Sequence, residues 1–144
     1  MTAPQDALHF HYDVDGNNFT SAGEASVQVK RTLRQMGFPP DLIRRISVAM
    51  YEGEINMVIH AKGGDADVYV TPDCITVILK DVGPGIKDIN LAMQEGYSTA
   101  PDNIRSLGFG AGMGLPNMKR YSDDLKIESV VGVGTTIEMK FKSA

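Results

Sequence analysis

The sequence predicts an α+β fold, a two-layer sandwich in which a mixed, largely antiparallel sheet carries helices on one face. Three observations lead to this fold class. Residues 8–14 alternate between apolar and polar side chains, which is the pattern of a half-buried strand. Residues 21–36 begin with a capping-box pattern, and residues 41–61 repeat apolar residues at helical spacing. The rest of the chain contains short apolar runs separated by glycine-rich turns. Strands and helices in this order favour helices packed on one face of a sheet.

Length and composition restrict the class of protein. The chain has 144 residues, 42% of them hydrophobic, and a formal net charge of −4, so we expect a single acidic domain. No apolar run approaches the roughly 20 residues of a membrane helix, and no dense Lys/Arg cluster offers the positive charge that nucleic acid requires. Cys74 is the only cysteine, and the first residues lack a secretion signal. We therefore expect a cytoplasmic protein without membrane or nucleic-acid partners.

The first predicted element is a strand over residues 8–14, at a sheet edge or in a hairpin, because the turn-forming residues 15–18 follow it. His9 and His11 alternate on its polar side. Such alternation is normal for a sheet with one solvated face, so we expect both histidines to face solvent rather than a ligand.

Two helices are predicted to follow. Ser21 and Glu24 have the spacing of a capping box, which predicts a helix over residues 21–36. Apolar residues at three- and four-residue spacing predict a second helix over residues 41–61, stopped by the glycines at 63–64. The inward stripe of this second helix is predicted to be Leu42, Ile46, Ala49, Gly53 and Met57.

The second half of the chain is predicted to contain four strands and two short helices. A long glycine-rich stretch over residues 96–114 precedes the last helix, and stretches of that length are usually binding elements or lids. The predicted elements are strands at 68–70 and 75–79, a helix at 89–94, a helix at 116–121, and strands at 125–129 and 135–141.

Two motifs carry candidate polar ligands. On the second helix, i,i+4 spacing places Glu52 and Asn56 on one face, as a general base and an oxygen ligand of a metal require. Mg²⁺ suits this pair better than zinc does, because Asn is a poor zinc ligand. Asp81 ends a buried strand and can accept a hydrogen bond from an amino group, while Gly83 and Gly85 let a flat ligand approach the backbone. Taken alone, the segment with Glu52 and Asn56 favours a solvated helix face, and the segment with Asp81 is also compatible with a plain turn after a strand.

Two further motifs are rich in glycine. Residues 108–114 immediately precede a predicted helix, where free backbone amides and the positive helix end can hold phosphate oxygens. Residues 132–136, Gly-Val-Gly-Thr-Thr, are compatible with a simple hairpin turn. Glycine-rich loops without ligands are common, so the order of all four motifs carries more information than any one of them.

That order resembles the N, G1, G2 and terminal boxes of the GHKL ATP-binding superfamily, whose domain has the Bergerat fold. The chain contains neither a P-loop motif nor the His-Arg-Asp motif of protein kinases. Within that superfamily the chain resembles the bacterial anti-sigma factor and switch serine-protein kinase family of the SpoIIAB, RsbW and RsbT type. Residues 94–99 and 112–116, with Lys119 and Arg120, especially resemble the RsbT branch. The resemblance covers most of the chain and implies a single GHKL-type ATP-binding kinase domain over residues 1–144.

The resemblance also implies roles for particular residues. Glu52 would be the catalytic base that activates a substrate serine, and Asn56 would help to hold Mg²⁺ on the phosphates of ATP. Asp81 would receive the adenine amino group in a pocket shaped by Gly83 and Gly85, and Thr135 would support the contacts of Asp81. The lid residues implied to contact the nucleotide are Gly108, Gly110, Gly112, Met113 and Gly114.

Two functions remain open. The first is an ATP-dependent serine/threonine protein kinase of a bacterial partner-switching system, which phosphorylates a STAS-domain anti-anti-sigma protein and regulates a sigma factor. The alternative is a non-catalytic, nucleotide-gated anti-sigma or partner-binding module, favoured by Ile55 in a place where many anti-sigma kinases have threonine. Glu54, two residues from Glu52 and facing another direction, is expected to be a surface or partner-facing group. A homodimer is a family expectation.

Overall fold

The computed structural model describes residues 7–15, 23–61, 63–83, 85, 93 and 114–143. In chain order, its helices and strands are β1 (Leu8–Asp15), α1 (Glu24–Gln35), α2 (Pro40–His60), β2 (Gly63–Val70), β3 (Cys74–Asp81), α3 (Gly114–Tyr121), β4 (Asp124–Val130) and β5 (Gly134–Lys142). The strands form one sheet in the order β1-β2-β3-β5-β4. Every pair of neighbouring strands in these described ranges is antiparallel.

The core lies between one face of the sheet and the helices. Val68, Val77 and Met139 are register partners across three neighbouring strands, and none is more than 1% exposed. Residues two positions apart on each strand share this apolar face, whereas the intervening polar residues point to the opposite face. The predicted α+β sandwich with helices on one face is therefore confirmed. In the described part of the chain, no helix combines the length and hydropathy needed to cross a bilayer.

The central helix α2 confirms the predicted inward stripe, whose members are all buried. The predicted end of this helix, at about residue 61, is within one residue of the observed end at His60. Gly63 and Gly64 do not stop the helix, which ends at His60; they begin β2 and pair with Asp15 and Val14 of β1. The helix therefore gives way to the sheet almost at once.

The start of α1 contradicts two expectations. The helix begins at Glu24, and its N-cap is Gly23, which has no side chain to accept a hydrogen bond from the helix. The predicted capping box over residues 21–24 is therefore wrong. Glu54 of α2 takes over this role. Its carboxylate oxygens accept hydrogen bonds from the backbone amides of Gly23 at 3.0 Å, Ala25 at 3.2 Å and Ser26 at 2.6 Å. These are amides that a helix N-terminus leaves without intrahelical partners.

Glu54 is consequently buried, and the expectation that it is a surface or partner-facing group is wrong. Its side chain is only 2% exposed. Burial raises the pKa of the Glu54 carboxyl, and the hydrogen bonds from Ser26, Ala25 and Gly23 oppose that rise. A charge in this position interacts favourably with the positive end of the α1 dipole.

We expect Glu54→Gln to lower the free energy of unfolding by about 3 kcal/mol, because the new amide group would face backbone donors that need an acceptor. Urea denaturation followed by circular dichroism measures the change. Glu24→Gln is the matched control, since Glu24 lies at the same helix end but is exposed. Loss of the Glu24 charge should lower the free energy of unfolding by only about 0.5 kcal/mol, through its interaction with the helix dipole. Equal effects of the two variants would contradict the capping role of Glu54.

The remaining predicted strands are all present, with wider bounds than predicted. The last helix starts at Gly114, two residues before the predicted start, so the final glycine of the glycine-rich stretch belongs to α3. The predicted helix over residues 89–94 and the rest of the glycine-rich stretch fall outside the described residues, apart from Met93.

Candidate nucleotide-binding site

Helices α2 and α3 meet at Asn56 and Gly114. A Cβ atom at Gly114 would lie 2.6 Å from Nδ2 and 3.1 Å from Oδ1 of Asn56, closer than non-bonded atoms normally approach. Glycine at this position therefore lets the first turn of α3 contact the Asn56 amide directly. The contact joins two of the four sequence motifs: the Glu52–Asn56 pair on α2 and the end of the glycine-rich stretch.

Glu52 lies one turn before Asn56 on α2 and is half-buried. Its Oε1 accepts a hydrogen bond of 3.4 Å from Nδ2 of Asn117 on α3. Nη1 of Arg120 donates to Oδ1 of the same asparagine at 3.3 Å. Because Oδ1 is engaged by the guanidinium, the amide nitrogen of Asn117 is the atom that faces Glu52. The three side chains form a short chain of hydrogen bonds that holds the carboxylate from one side.

Asp81 is the last residue of β3 and is half-buried. The backbone N–H of Thr135 donates to its Oδ1 at 2.9 Å. The Thr135 hydroxyl lies 2.9 Å from Oγ of Ser129, within hydrogen-bond distance, so the threonine contacts Asp81 through its backbone and β4 through its side chain. Burial raises the pKa of the Asp81 carboxyl, and the amide of Thr135 partly opposes this. One oxygen of Asp81 is thereby fixed, and the carboxylate is oriented by the neighbouring strand.

Helix α2, which carries Glu52 and Asn56, packs against the end of β3 that carries Asp81. A Cβ atom at Gly64 would lie 2.8 Å from Cα of Asp81 and 2.9 Å from Cε of Met57, which places α2 against this end of the sheet. Met57 follows Asn56 directly on α2. The second half of α2, Asp81 and the start of α3 therefore belong to one region of the molecule. The structure thus pairs Asn56 with Gly114, and Asp81 with Thr135, along α2 and the adjoining end of β3.

Gly83 and Gly85 continue the chain beyond Asp81. Gly83 is half-buried, and Gly85 adopts a φ of 76°, a conformation that other residues rarely take. A Cβ atom at Gly85 would also lie 2.6 Å from the carbonyl oxygen of Val130. Both the backbone angle and this close approach require glycine at residue 85. The other lid residues assigned from sequence, Gly108, Gly110, Gly112 and Met113, lie outside the described residues.

Sequence reasoning missed the contribution of Asn117. The signal was present, because Asn117 follows Gly114 by three residues and helical periodicity places those two positions on one face. What the sequence lacked was the direction of that face. Only the packing of α3 against α2 turns it toward Glu52.

Comparisons with known proteins identify the family of the chain. Residues 17–141 match the family model of the histidine kinase-like ATPase domain. An anti-sigma F factor of Clostridium novyi (strain NT) is 35% identical over 124 residues, which cover 82% of this chain and 83% of that protein. The serine/threonine-protein kinase RsbT of Bacillus subtilis (strain 168) is 32% identical over 113 residues, covering 76% of this chain and 79% of that protein.

A solved structure of the RsbU and RsbW domains of a Mycobacterium tuberculosis protein shares the fold, with a TM-score of 0.59 and 17% sequence identity. The match covers 93% of this chain but only 32% of that longer chain. The α+β sandwich and the order of its motifs define the class as an ATPase domain of the GHKL type. The chain belongs to the histidine kinase-like ATPase domain family.

Proposed function

We propose that this protein is an ATP-dependent serine/threonine protein kinase of a bacterial partner-switching system. Its substrate would be a STAS-domain anti-anti-sigma protein, and the phosphorylation would control the availability of a sigma factor. Relatives named anti-sigma F factor and serine/threonine-protein kinase RsbT support this class of activity. Residues 1–144 would act as one kinase domain, in the cytoplasm where sigma factors work.

The observation that carries the proposal is the different environment of the two acids on α2. Glu54 is buried and caps the N-terminus of α1, so its role is structural. Glu52 is half-buried and oriented by Asn117, so its carboxylate is the one that a substrate can reach. A general base must lie within hydrogen-bond reach of the proton that it removes.

The proposed reaction transfers the γ-phosphoryl group of ATP to a serine hydroxyl. Glu52 accepts the hydroxyl proton while the serine oxygen bonds to the γ-phosphorus, and the bond to the bridging oxygen breaks to release ADP. Asp81 binds the adenine amino group through the oxygen that Thr135 does not engage. Asn56 offers the hard oxygen ligand that Mg²⁺ prefers, and the ion would neutralise phosphate charge that Glu52 and Asp81 otherwise repel.

The test combines the purified protein, Mg²⁺-ATP and a STAS-domain protein encoded in the same genome. Phosphoserine on the STAS protein, detected by mass spectrometry, is the expected result. Stable binding of ATP without phosphoserine, accompanied by a nucleotide-dependent change in partner affinity, would instead support the second candidate, a nucleotide-gated binding module. The name anti-sigma F factor describes an interaction rather than a reaction, and the relatives that carry it favour this second candidate.

Asn117→Ala is expected to lower kcat about tenfold and to leave the KM for ATP unchanged, because one hydrogen bond that orients the proposed base is lost. Asn117→Asp should have a different signature. A second carboxylate beside Glu52 favours the protonated form of the base, so the acid limb of the pH–rate profile should move to higher pH. A purely structural role would lower the activity of both variants without moving the profile.

A further inference from the structure

Five polar side chains from β1 and β2 meet on the face of the sheet opposite the helices. They are His9, His11, Asp13, Asp65 and Asp67. In the register of the two strands, His11 lies opposite Asp67, and Asp13 lies opposite Asp65. The proposed nucleotide site uses none of them, and the apolar residues that alternate with them on both strands point to the core.

The two nitrogens of His11 have different surroundings. Nδ1 lies 2.8 Å from Oδ1 of Asp67. Nε2 lies 3.2 Å from Oδ1 of Asp13 and 3.5 Å from Oδ1 of Asp65. When Nδ1 carries the proton of a neutral ring and donates it to Asp67, Nε2 presents a lone pair toward two carboxylate oxygens. Either a proton on Nε2, donated to these carboxylates, or a metal ion that takes its place can lie between the three atoms.

The strand register favours positive charge at this place. Asp13 and Asp65 are direct cross-strand partners, and like charges directly opposite each other destabilise a sheet. Both residues are exposed enough for an ion to reach them from solvent, with side chains 90% and 50% exposed respectively. The strand pairing thus holds together two carboxylates that repel each other unless positive charge lies between them.

The two separations measured from Nε2 of His11 suit a metal ion. Ligand atoms about 2.05 Å from a tetrahedral Zn²⁺ lie about 3.3 Å apart. The two separations measured from Nε2 of His11, 3.2 Å and 3.5 Å, bracket that value, and the three candidate ligand atoms all lie within 4.8 Å of one another. A ligand set of one imidazole and two carboxylates favours a divalent transition metal over Mg²⁺, which prefers oxygen ligands alone.

Asp67 and His9 provide the outer support that such sites need. A histidine that binds a metal normally donates its other N–H to a carboxylate, which fixes its tautomer and its orientation. Asp67 holds that position for His11, and Nε2 of His9 lies 2.7 Å from the same Asp67 oxygen. The His9 ring in turn stacks on Tyr69, with centroids 4.4 Å apart and the planes 7° from parallel.

We propose that His11, Asp13 and Asp65 bind a divalent transition-metal ion of the Zn²⁺ type on the open face of the sheet, with Asp67 as the positioning residue. This site is distinct from the Mg²⁺–ATP site and holds whether or not the chain is a kinase. Water or a group from a bound partner completes the coordination. The expectation that His9 and His11 simply face solvent describes their location on the sheet but not the chemistry of their neighbours.

The experiment titrates ZnCl₂ into untagged, chelator-treated protein without nucleotide, using calorimetry. One saturable Zn²⁺ per chain is expected, and Co²⁺ should give visible absorption bands of a nitrogen–oxygen site. His11→Gln and Asp13→Asn remove ligands and should each weaken binding at least about tenfold. Asp67→Asn should weaken it about tenfold, because it alters the group that orients the His11 ring. Asp124→Asn is the matched control, because Asp124 is an exposed carboxylate on the opposite edge strand.

A thermal melt separates loss of the site from loss of the fold. Asp13→Asn removes one of two opposed charges, so without metal its Tm should equal or exceed that of the native chain. With Zn²⁺, the native Tm should rise and that of Asp13→Asn should not. The proposal is overturned if native protein shows no saturable Zn²⁺ binding, or if His11→Gln and Asp13→Asn bind Zn²⁺ as tightly as the native chain and the Asp124→Asn control.

Discussion

Replacing Glu52 with glutamine is expected to lower the rate of phosphate transfer by about a thousandfold, because the variant has no base to accept the serine proton. Glutamine has nearly the same shape as glutamate and can still accept the hydrogen bond from Asn117. Calorimetry should therefore show unchanged ATP affinity, and circular dichroism an unchanged melt. The loss should appear in the single-turnover rate of phosphoserine formation.

Two control variants make this result specific. Glu128→Gln changes an exposed glutamate on β4, paired with Lys126 at 3.5 Å, and should leave the rate unchanged. Glu54→Gln should lower stability while the rate per folded molecule stays within a few-fold of the native value. A native rate in Glu52→Gln would rule out Glu52 as the base, and a rate lost only in Glu54→Gln would transfer that role to the buried acid.

Asp81→Asn is expected to weaken the binding of both ATP and ADP at least about a hundredfold, equivalent to about 3 kcal/mol. The oxygen of the new amide can still accept the N–H of Thr135, so its NH₂ group replaces the second carboxylate oxygen. That group would face the adenine amino group, and two donors would then oppose each other in a half-buried pocket. Calorimetric titration with both nucleotides measures the effect, with Asp73→Asn in the exposed β2–β3 turn as the control.

The stability of Asp81→Asn distinguishes lost binding from lost folding. Burial raises the pKa of Asp81, so its ionised form is disfavoured in the folded chain relative to the unfolded chain. This unfavourable contribution is present at neutral pH and disappears as pH falls through the raised pKa. A neutral asparagine removes it at all pH values, so the variant should be at least as stable as the native protein. Native-like nucleotide affinity in this variant would contradict the proposed adenine contact.

The two acids of α2 show where sequence reasoning succeeds and where it stops. Helical spacing correctly places Glu52 and Glu54 on different faces, because side-chain direction depends only on the local backbone. It does not say which face is buried by another element. The structure packs the Glu54 face against the first turn of α1, where three backbone amides need an acceptor. A capping box proposed from residues 21–24 was wrong for the same reason, since the acceptor comes from a distant part of the chain.

Local patterns by themselves determined the fold class, the approximate elements and the order of the motifs. Apolar periodicity and glycine placement depend on neighbouring residues, and they are therefore legible in a single sequence. Tertiary structure alone decided which polar groups meet. The pairing of Asp81 with Thr135, of Glu52 with Asn117, and of His11 with Asp65 and Asp67 depends on strand register and helix packing. Those contacts join residues far apart in the chain, and their geometry follows from how the whole core is packed.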